Sequence, residues 1–323
     1  MTTQADARRF VSLVMPAFNE EEGIADVLDQ VDRVVAVHPE YRWEVVLVND
    51  GSTDRTLDVV SDLSPRSFDL QVVDLSRNFG KEAALSAGLE VARGDAVIPM
   101  DADLQDPPEL IFKMLPLWEG GAEVVLAKRV DRSADSLMKR TTAGWFYRTI
   151  NSISEVAIPE NVGDFRLMDR VVVDVIRRMP ESRRFMKGLF AWAGFRTVSV
   201  EYTRPERFSG ETKFNGMRLI NLAIEGITSF STVPLRLATY SGAGVAIGAI
   251  FFGIYVIVRR LMEGADVPGY ASLASMIAFF AGVQLLAIGV IGEYVGRTYL
   301  ESKMRPAFIV RKVQCIQSAD RSG

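Results

Sequence analysis

Residues 97–108 are Val97-Ile98-Pro99-Met100-Asp101-Ala102-Asp103-Leu104-Gln105-Asp106-Pro107-Pro108, where an apolar strand ends and a pair of prolines begins a helix. Side chains two positions apart in an extended segment point to the same side, so Asp101 and Asp103 can face one ligand together. A few hard oxygen ligands suit Mg²⁺ or Mn²⁺ shared with a phosphate. The alternative for an isolated Asp-x-Asp pair is a turn or a helix cap.

The apolar residues are unevenly distributed along the chain. Of the 323 residues, 48% are hydrophobic, and two uncharged stretches, Leu237–Val258 and Tyr270–Gly292, hold much of the excess. Each is longer than the ~20 residues that cross a bilayer core. We therefore predict two transmembrane helices, with buried core helices as the alternative.

The remaining composition restricts the compartment and the chemistry. The segment Phe10–Met15 is too short for a signal-peptide core, which predicts a catalytic part in the cytosol. One cysteine, Cys315, excludes an intrachain disulfide. A net charge of −4 gives no basic field for nucleic acid. The one histidine, His38, precedes Pro39 and is predicted in a surface loop, which disfavours a histidine-based mechanism.

Charges around the two stretches predict their orientation. The flanking cations are Arg218 and Arg236 before the first stretch and Arg297, Lys303, Arg305, Arg311 and Lys312 after the second. The connector carries Arg259 and Arg260 diluted by Glu263 and Asp266, which favours both termini in the cytosol. The spacings Gly244-x-x-x-Gly248 and Gly292-x-x-x-Gly296 would permit close helix packing, within the chain or in a homo-oligomer.

Strand and helix patterns alternate in the first half of the chain. Strands are predicted at Phe10–Met15, Trp43–Val48, Leu70–Asp74, Ala96–Met100 and Glu123–Ala127. Helices are predicted at 20–37, 52–63, Lys81–Arg93 and Pro108–Trp118. The alternation predicts an α/β fold with a doubly wound, mostly parallel sheet, which binds ligands beyond the carboxyl ends of its strands.

The second half is predicted to be mainly helical from 133 to 202, with a strand at Thr197–Tyr202. A polar loop at Arg204–Phe214 precedes an amphipathic segment, Gly216–Phe230. Its apolar face predicts either a helix in the membrane interface or one packed on the domain core. The predicted organisation is a catalytic domain at 1–213, an interfacial helix at 214–231, a transmembrane region at 232–300 and a tail at 301–323.

The predicted rim offers groups for a metal-bound diphosphate. Asp101 and Asp103 supply carboxylates, while Arg207 and Lys213 in a charged loop could bind the phosphates. Lys81 is a further cation, at a helix N-terminus suited to anions. A solvated charged loop is the alternative for these cations.

Nucleotide recognition must come from side chains and a metal. Asp50, followed by Gly51 in a tight turn, could accept hydrogen bonds from a base or ribose, or could cap a helix with Ser52. Neither a Gly-x-Gly-x-x-Gly motif after the first strand nor a phosphate loop is present, which disfavours dinucleotide oxidoreduction and P-loop hydrolysis.

Four segments carry a family resemblance. They are Pro16-Ala17-Phe18-Asn19-Glu20, Val48-Asn49-Asp50-Gly51-Ser52-Thr53-Asp54, Asp101-Ala102-Asp103-Leu104-Gln105-Asp106-Pro107-Pro108 and Gly163-Asp164-Phe165-Arg166-Leu167-Met168-Asp169. Together they resemble inverting family 2 glycosyltransferases of the GT-A fold. More narrowly, nearly the whole chain is similar to polyprenyl-phosphate glycosyltransferases, including bactoprenol glucosyltransferases and their dolichol-phosphate and aminoarabinose relatives.

The resemblance implies a role for each matching residue. The nucleoside-binding positions are Pro16, Ala17, Asn19, Glu20, Asp50 and Asp101. Asp101 and Asp103 match the metal-diphosphate motif, and Asp103 and Asp164 are the implied catalytic residues. Gln105 and Arg166 are implied beside the sugar and acceptor, and Lys81, Arg207 and Lys213 over the diphosphate.

The resemblance also implies the reaction. A nucleotide sugar, by expectation UDP-glucose, gives one sugar to polyprenyl phosphate at the inner membrane with Mg²⁺ or Mn²⁺, and a flippase and a downstream transferase are candidate partners. The Gln-x-x-Arg-Trp signature of processive synthases is missing, since Arg42-Trp43 lies too early and Pro39 stands at the Gln position. GDP-mannose or a UDP-aminosugar donor, a non-catalytic sugar-nucleotide-binding subunit and a transporter are the alternatives.

Overall fold

The computed structural model describes residues 8–63, 66–103, 106–129, 162–181, 184, 186–202, 231–263 and 269–316. These residues belong to two compact units. The first unit holds the described residues up to 202 together with 305–316, and the second holds 231–304.

The first unit is built on an eight-stranded sheet. Its strands are β1 (Arg9–Ala17), β2 (Tyr41–Asn49), β3 (Asp69–Leu75), β4 (Ala96–Pro99), β5 (Val124–Arg129), β6 (Val162–Asp169), β7 (Thr197–Tyr202) and β8 (Val310–Ile316). The order is β7-β5-β6-β4-β1-β2-β3-β8, and β4, β1, β2 and β3 run parallel. The carboxyl ends of these four strands therefore meet at one edge of the sheet.

Helices cover the sheet and bury its apolar side chains. They are α1 (Ile24–Ala36), α2 (Thr56–Ser61), α3 (Lys81–Val91), a 3₁₀ turn (Pro108–Leu110) leading into α4 (Ile111–Glu119), α5 (Arg170–Arg178) and α6 (Met186–Trp192). In α1, Ile24, Leu28, Val31 and Val35 recur at helical spacing and are all buried in the core. The side chain of Asp169 accepts a hydrogen bond from the N–H of Val171 and so caps α5.

The predicted α/β class is confirmed, but the sheet is mixed beyond β4. Strand β6 lies between β4 and β5 and runs antiparallel to both, while β7 is parallel to β5. The predicted helical region from 133 to 202 therefore contains a strand at Val162–Asp169. The sequence of this strand does not show the alternation of apolar and polar residues expected of a strand, because the charged Arg166 is buried beside Phe165 and Leu167.

The predicted tail at 301–323 also contains a strand. Residues 310–316 pair antiparallel with β3, from Leu70↔Ile316 to Leu75↔Val310. Arg311 adds hydrogen bonds to the carbonyl of Ser76 (2.8 Å) and to the carboxylate of Asp74 (3.3 Å). The chain thus returns to the eight-stranded sheet after its second unit, so the predicted tail at 301–323 contributes a strand to that sheet.

A buried carboxylate ties three strands and a helix end together. Glu44 on β2 is fully buried and accepts hydrogen bonds from the Ser12 hydroxyl (2.6 Å) and the Gln71 amide (2.6 Å). It also accepts from the backbone N–H of Arg93 (3.0 Å) and pairs with the guanidinium of that residue (2.5 Å). This network joins β1, β2 and β3 to the segment after α3.

We expect Glu44→Gln to lower the stability of the first unit by about 2–4 kcal/mol, because the neutral amide cannot satisfy the converging donors. The midpoint of thermal unfolding, followed by tryptophan fluorescence, should fall by roughly 5–15 °C. The exposed Glu22→Gln is the matched control and should leave the midpoint nearly unchanged. Equal midpoints for the two variants would show that the charge of Glu44 does not stabilise the first unit.

The second unit contains two long apolar helices. Helix α7 spans Val233–Glu263 and α8 spans Tyr270–Ser302, and both are long and apolar enough to cross a membrane. Large apolar side chains on them are exposed, for example Phe251 (69%) and Leu286 (75%). The two predicted stretches lie within these helices, whereas residues 214–230 of the predicted interfacial segment lie outside the described residues.

Candidate active site at the carboxyl edge of the sheet

A cavity of ≈ 370 Å³ opens where β1, β2 and β4 end. Seven of the residues singled out in the sequence line it, namely Pro16, Ala17, Glu20, Asp50, Lys81, Asp101 and Asp103. Parallel strands place these segments side by side although they lie far apart in the chain. The predicted convergence on one rim is therefore present.

Asp50 lines the cavity and binds the backbone just before α3. Its carboxylate accepts hydrogen bonds from the backbone N–H groups of Phe79 (2.7 Å) and Gly80 (2.9 Å), directly before α3. Burial raises the pKa of Asp50 above its usual value, and these hydrogen bonds oppose the rise. Asp50 thus fixes the start of α3, and a carboxylate has further lone pairs to offer a nucleoside.

Gly51 lets two loops approach closely beside Asp50. Its φ is +67°, and a Cβ built there would lie 2.3 Å from the backbone carbon of Arg77. Only glycine adopts this conformation readily and leaves the space open.

If the cavity binds UDP, as the family resemblance implies, we expect Gly51→Ala to weaken that binding at least about tenfold. The Arg77 backbone must move and would carry the start of α3 with it. Isothermal calorimetry with UDP measures the effect. Gly23→Ala is the matched control, since no atom lies within 4 Å of its added Cβ. Equal UDP affinity for the two variants would show that the close approach at Gly51 does not affect UDP binding.

Asn19 braces loops and is not among the lining residues. It has a φ of +56°, its N–H donates to the Ser52 hydroxyl (3.0 Å), and its side-chain oxygen accepts from the N–H of Thr53 (2.9 Å). Next to it, the N–H of Glu20 donates to the Thr56 hydroxyl (2.9 Å). The loops after β1 and β2 are thereby held together.

Lys81 joins two carboxylates instead of standing alone as a phosphate-binding cation. Its ammonium nitrogen lies 2.6 Å from Asp101 and 2.9 Å from Asp164. Burial opposes the charge of Lys81, yet the carboxylates of Asp164 and Asp101 raise its pKa above the usual value. This contact places the acidic residue of β6 beside the Asp-x-Asp pair.

Among the described residues, several carboxylates lie close to this lysine. Burial raises the pKa of Asp101, the Lys81 ammonium opposes the rise, and the carboxylates of Asp164 and Asp103 add to it. Burial and then the Asp103 carboxylate raise the pKa of Glu20 in the same way. These acidic groups favour binding of another cation.

Arg166 supports Asp164 from inside the protein. It is 5% exposed, and its guanidinium donates to the backbone carbonyl of Gly163 (2.8 Å) and stacks over the Phe190 ring at 4.1 Å. Burial lowers its pKa to about 10, which the Asp164 carboxylate opposes. The guanidinium thus supports the Gly163–Asp164 backbone, and Arg166 is not among the residues that line the cavity.

Residues 12–177 match the family model for glycosyl transferase family 2. The chain belongs to glycosyl transferase family 2. It is 50% identical to the prophage bactoprenol glucosyl transferase homolog of Escherichia coli K12, over 94% of this chain and 99% of that protein. It is 51% identical to the SfII prophage-derived bactoprenol glucosyl transferase of Shigella flexneri, over 94% and 97%.

The solved structures provide a more distant match. Mannosyl-3-phosphoglycerate synthase from Rubrobacter xylanophilus is 19% identical, with a TM-score of 0.48 over 68% of this chain and 73% of that one. Its low identity and TM-score support no finer comparison. The family membership confirms the predicted family 2 glycosyltransferase and its GT-A-like mixed sheet with helices.

The donor set of this family 2 glycosyltransferase fits a divalent ion completed by its substrate. Asp101 and Asp103 both line the cavity, and the described part of the chain holds no cluster of three or more His, Cys, Asp or Glu residues arranged around a metal. Mg²⁺ commonly takes one or two carboxylates and completes its shell with water and phosphate oxygens. The two aspartates suit that pattern.

A buried cluster in this glycosyltransferase was not foreseen from the sequence. Tyr202, at the end of β7, donates its hydroxyl hydrogen bond to Asp106, and Arg129 donates to the Tyr202 hydroxyl (3.2 Å). In the sequence, Asp106 belongs to the Asp-x-Asp segment, and its position directly before Pro107-Pro108 is the signal that marks it. The cluster anchors the Asp-x-Asp segment to β7, the strand that precedes the loop at 204–214. The predicted site residues Gln105, Arg207 and Lys213 lie outside the described residues.

Proposed function

We propose that this family 2 glycosyltransferase transfers one glucose from UDP-glucose to polyprenyl phosphate, with inversion at the anomeric carbon. The observation that carries the proposal is a cavity lined by Asp101, Asp103 and Lys81. Asp164 is not among the lining residues but is paired with Lys81 at 2.9 Å. The names of the relatives at about 50% identity over nearly the full length support the choice of glucose and a bactoprenol acceptor.

The nucleophile in this reaction is the lipid phosphate itself. Its second pKa lies near 6, so it is largely a dianion at neutral pH and needs no base. An oxygen of the lipid phosphate forms a bond to the anomeric carbon. The bond from that carbon to the β-phosphate oxygen breaks, and its electron pair leaves with UDP. Attack opposite the leaving group converts an α-linked donor into a β-linked product.

Side chains of the cavity orient this displacement. Pro16, Ala17, Glu20 and Asp50 line the cavity and are proposed to hold the nucleoside. Asp164 is paired with Lys81 and backed by the Arg166 guanidinium, an arrangement suited to orienting the acceptor. Asp101 and Asp103 would hold Mg²⁺ or Mn²⁺, which when bound supplies positive charge for the leaving diphosphate. Arg207 and Lys213 are proposed to add charge from the basic loop.

The position of β8 supports a membrane topology with the catalytic unit in the cytosol. Helices α7 and α8 lie between β7 and β8 in the chain, and both strands belong to one sheet. If the two helices span the membrane, two crossings return the chain to the side it left. This agrees with flanking cations that favour both termini in the cytosol.

A donor screen tests the proposed function. The full-length protein in detergent is given a short polyprenyl phosphate, Mg²⁺ or Mn²⁺, and UDP-glucose, GDP-mannose or a UDP-aminosugar, and labelled lipid is extracted. We expect labelled lipid with UDP-glucose above the other donors. Preference for another donor would overturn the sugar, and no transfer from any of them would favour a non-catalytic sugar-nucleotide-binding subunit.

A further inference from the structure

Lys81 occupies a position that matters for any cation binding at Asp101. Its ammonium contacts both carboxylate oxygens of Asp101, at 2.6 and 2.8 Å, and also reaches Asp164 at 2.9 Å. The Asp101 and Asp164 side chains are 35% and 19% exposed, so solvent screens this charge only in part. A divalent ion at Asp101 would therefore compete with the ammonium for the same oxygens and be repelled by it.

The backbone around Lys81 is fixed while its side chain has room. Asp50 holds the N–H groups of Phe79 and Gly80, so the first residue of α3 has a defined position. The Lys81 side chain is 47% exposed and lines the cavity beside the small Ala84. Its flexible four-carbon stem can move the ammonium without moving α3.

We propose that Lys81 is a resident counter-ion that keeps Mg²⁺ or Mn²⁺ off Asp101 until a nucleoside diphosphate binds. The diphosphate gives the ammonium a second anionic partner and gives the metal its missing oxygen ligands. Lys81 then leaves Asp101, and metal and nucleotide enter together. The inference rests on the proposed function, which supplies the diphosphate donor and its metal.

The proposal predicts a specific thermodynamic coupling. Metal alone binds weakly to the wild type and UDP strengthens it, because each ligand offsets the cost of displacing Lys81. Removing the ammonium abolishes the competition, so metal alone should bind more tightly. A lysine that merely stabilised the fold, or that only contacted phosphate, would not strengthen metal binding when removed.

Mn²⁺ binding, followed by the electron paramagnetic resonance signal of free Mn²⁺, tests this directly. The full-length wild type, Lys81→Met and Lys113→Met are titrated with and without UDP, and Lys113 is the exposed control on α4. Lys81→Met should bind Mn²⁺ without UDP on the order of tenfold more tightly than wild type. Its further gain from UDP should shrink, while Lys113→Met should match wild type.

Lys81→Gln is a second variant that removes the charge but keeps a hydrogen-bond donor beside Asp101. It should also bind Mn²⁺ more tightly than wild type without UDP, and it replaces Lys81→Met if that variant folds poorly. Unchanged or weaker Mn²⁺ binding without UDP in the folded variants would overturn the proposal. If the wild type gains Mn²⁺ affinity from UDP in that case, the proposed function stands. If the wild type binds no Mn²⁺ even with UDP, the metal-dependent donor site fails as well.

Discussion

Asp103→Asn is expected to reduce sugar transfer by about three orders of magnitude while leaving the protein folded. The substitution keeps the side-chain volume but removes a charged oxygen from the residues proposed to hold the metal. Lost stabilisation of the leaving diphosphate acts directly on the rate of transfer. Because Asp103 is exposed, its replacement should cost little stability.

Initial rates with labelled UDP-glucose and polyprenyl phosphate measure this effect, with unfolding midpoints recorded on the same preparations. Asp58→Asn on α2 makes the same chemical change at an exposed position and should retain full activity. Excess EDTA should abolish transfer by the wild type. Full activity in Asp103→Asn, or in EDTA, would contradict the metal assignment.

Deleting residues 310–323 is expected to destroy the cooperative unfolding of the catalytic unit. The deletion removes β8, which covers β3 along its length, and exposes the hydrogen-bonding edge of a strand that is otherwise buried. It also removes Arg311 from Asp74, whose other carboxylate oxygen accepts from the Asn49 amide (2.8 Å) at the end of β2. We therefore expect the deletion to lower the stability of the catalytic unit and to disturb the positions of the residues at the rim.

The matched control ends the chain after Ile316 and leaves β8 complete. Thermal unfolding and UDP binding of the two truncations should differ sharply, with the control close to the full-length protein. A folded, UDP-binding deletion of 310–323 would show that β8 is dispensable. The same pairing argues against truncating the chain before the two apolar helices, because the predicted catalytic domain at 1–213 lacks β8.

The rim of the sheet could be predicted because its signals are local. Each central strand is an apolar run that ends in polar residues, as at Asn49-Asp50 and at Asp101-Ala102-Asp103. Parallel strands bring such ends together whatever their separation in the chain. Family motifs in the same segments indicate the chemistry of the rim.

The pairings that complete the sheet could not be predicted in the same way. Strand β8 pairs with β3 across more than 230 residues, and its sequence alternates weakly because it lies at an edge. Strand β6 carries a buried arginine, which interrupts the apolar pattern. The local sequence does not indicate which strands β6 and β8 pair with.

Within the site, the residue types were predictable but several partners were not. Lys81 was expected over phosphates, yet it contacts two carboxylates, since nothing in the sequence brings Asp164 beside Asp101. Asn19 braces two loops and Arg166 supports a backbone, and neither contact is evident from the sequence. The predicted ligand contacts of both residues stay predictions. Burial and distance, which decide such roles, depend on the packed structure.

The product made from UDP-glucose and polyprenyl phosphate bears most directly on the proposed reaction. Mass spectrometry of the purified lipid gives the number of hexoses, and the proton coupling at the anomeric position gives the configuration. The proposed mechanism predicts one glucose per lipid phosphate in β linkage. An α-linked product, or a lipid carrying several hexoses, would contradict single inverting transfer.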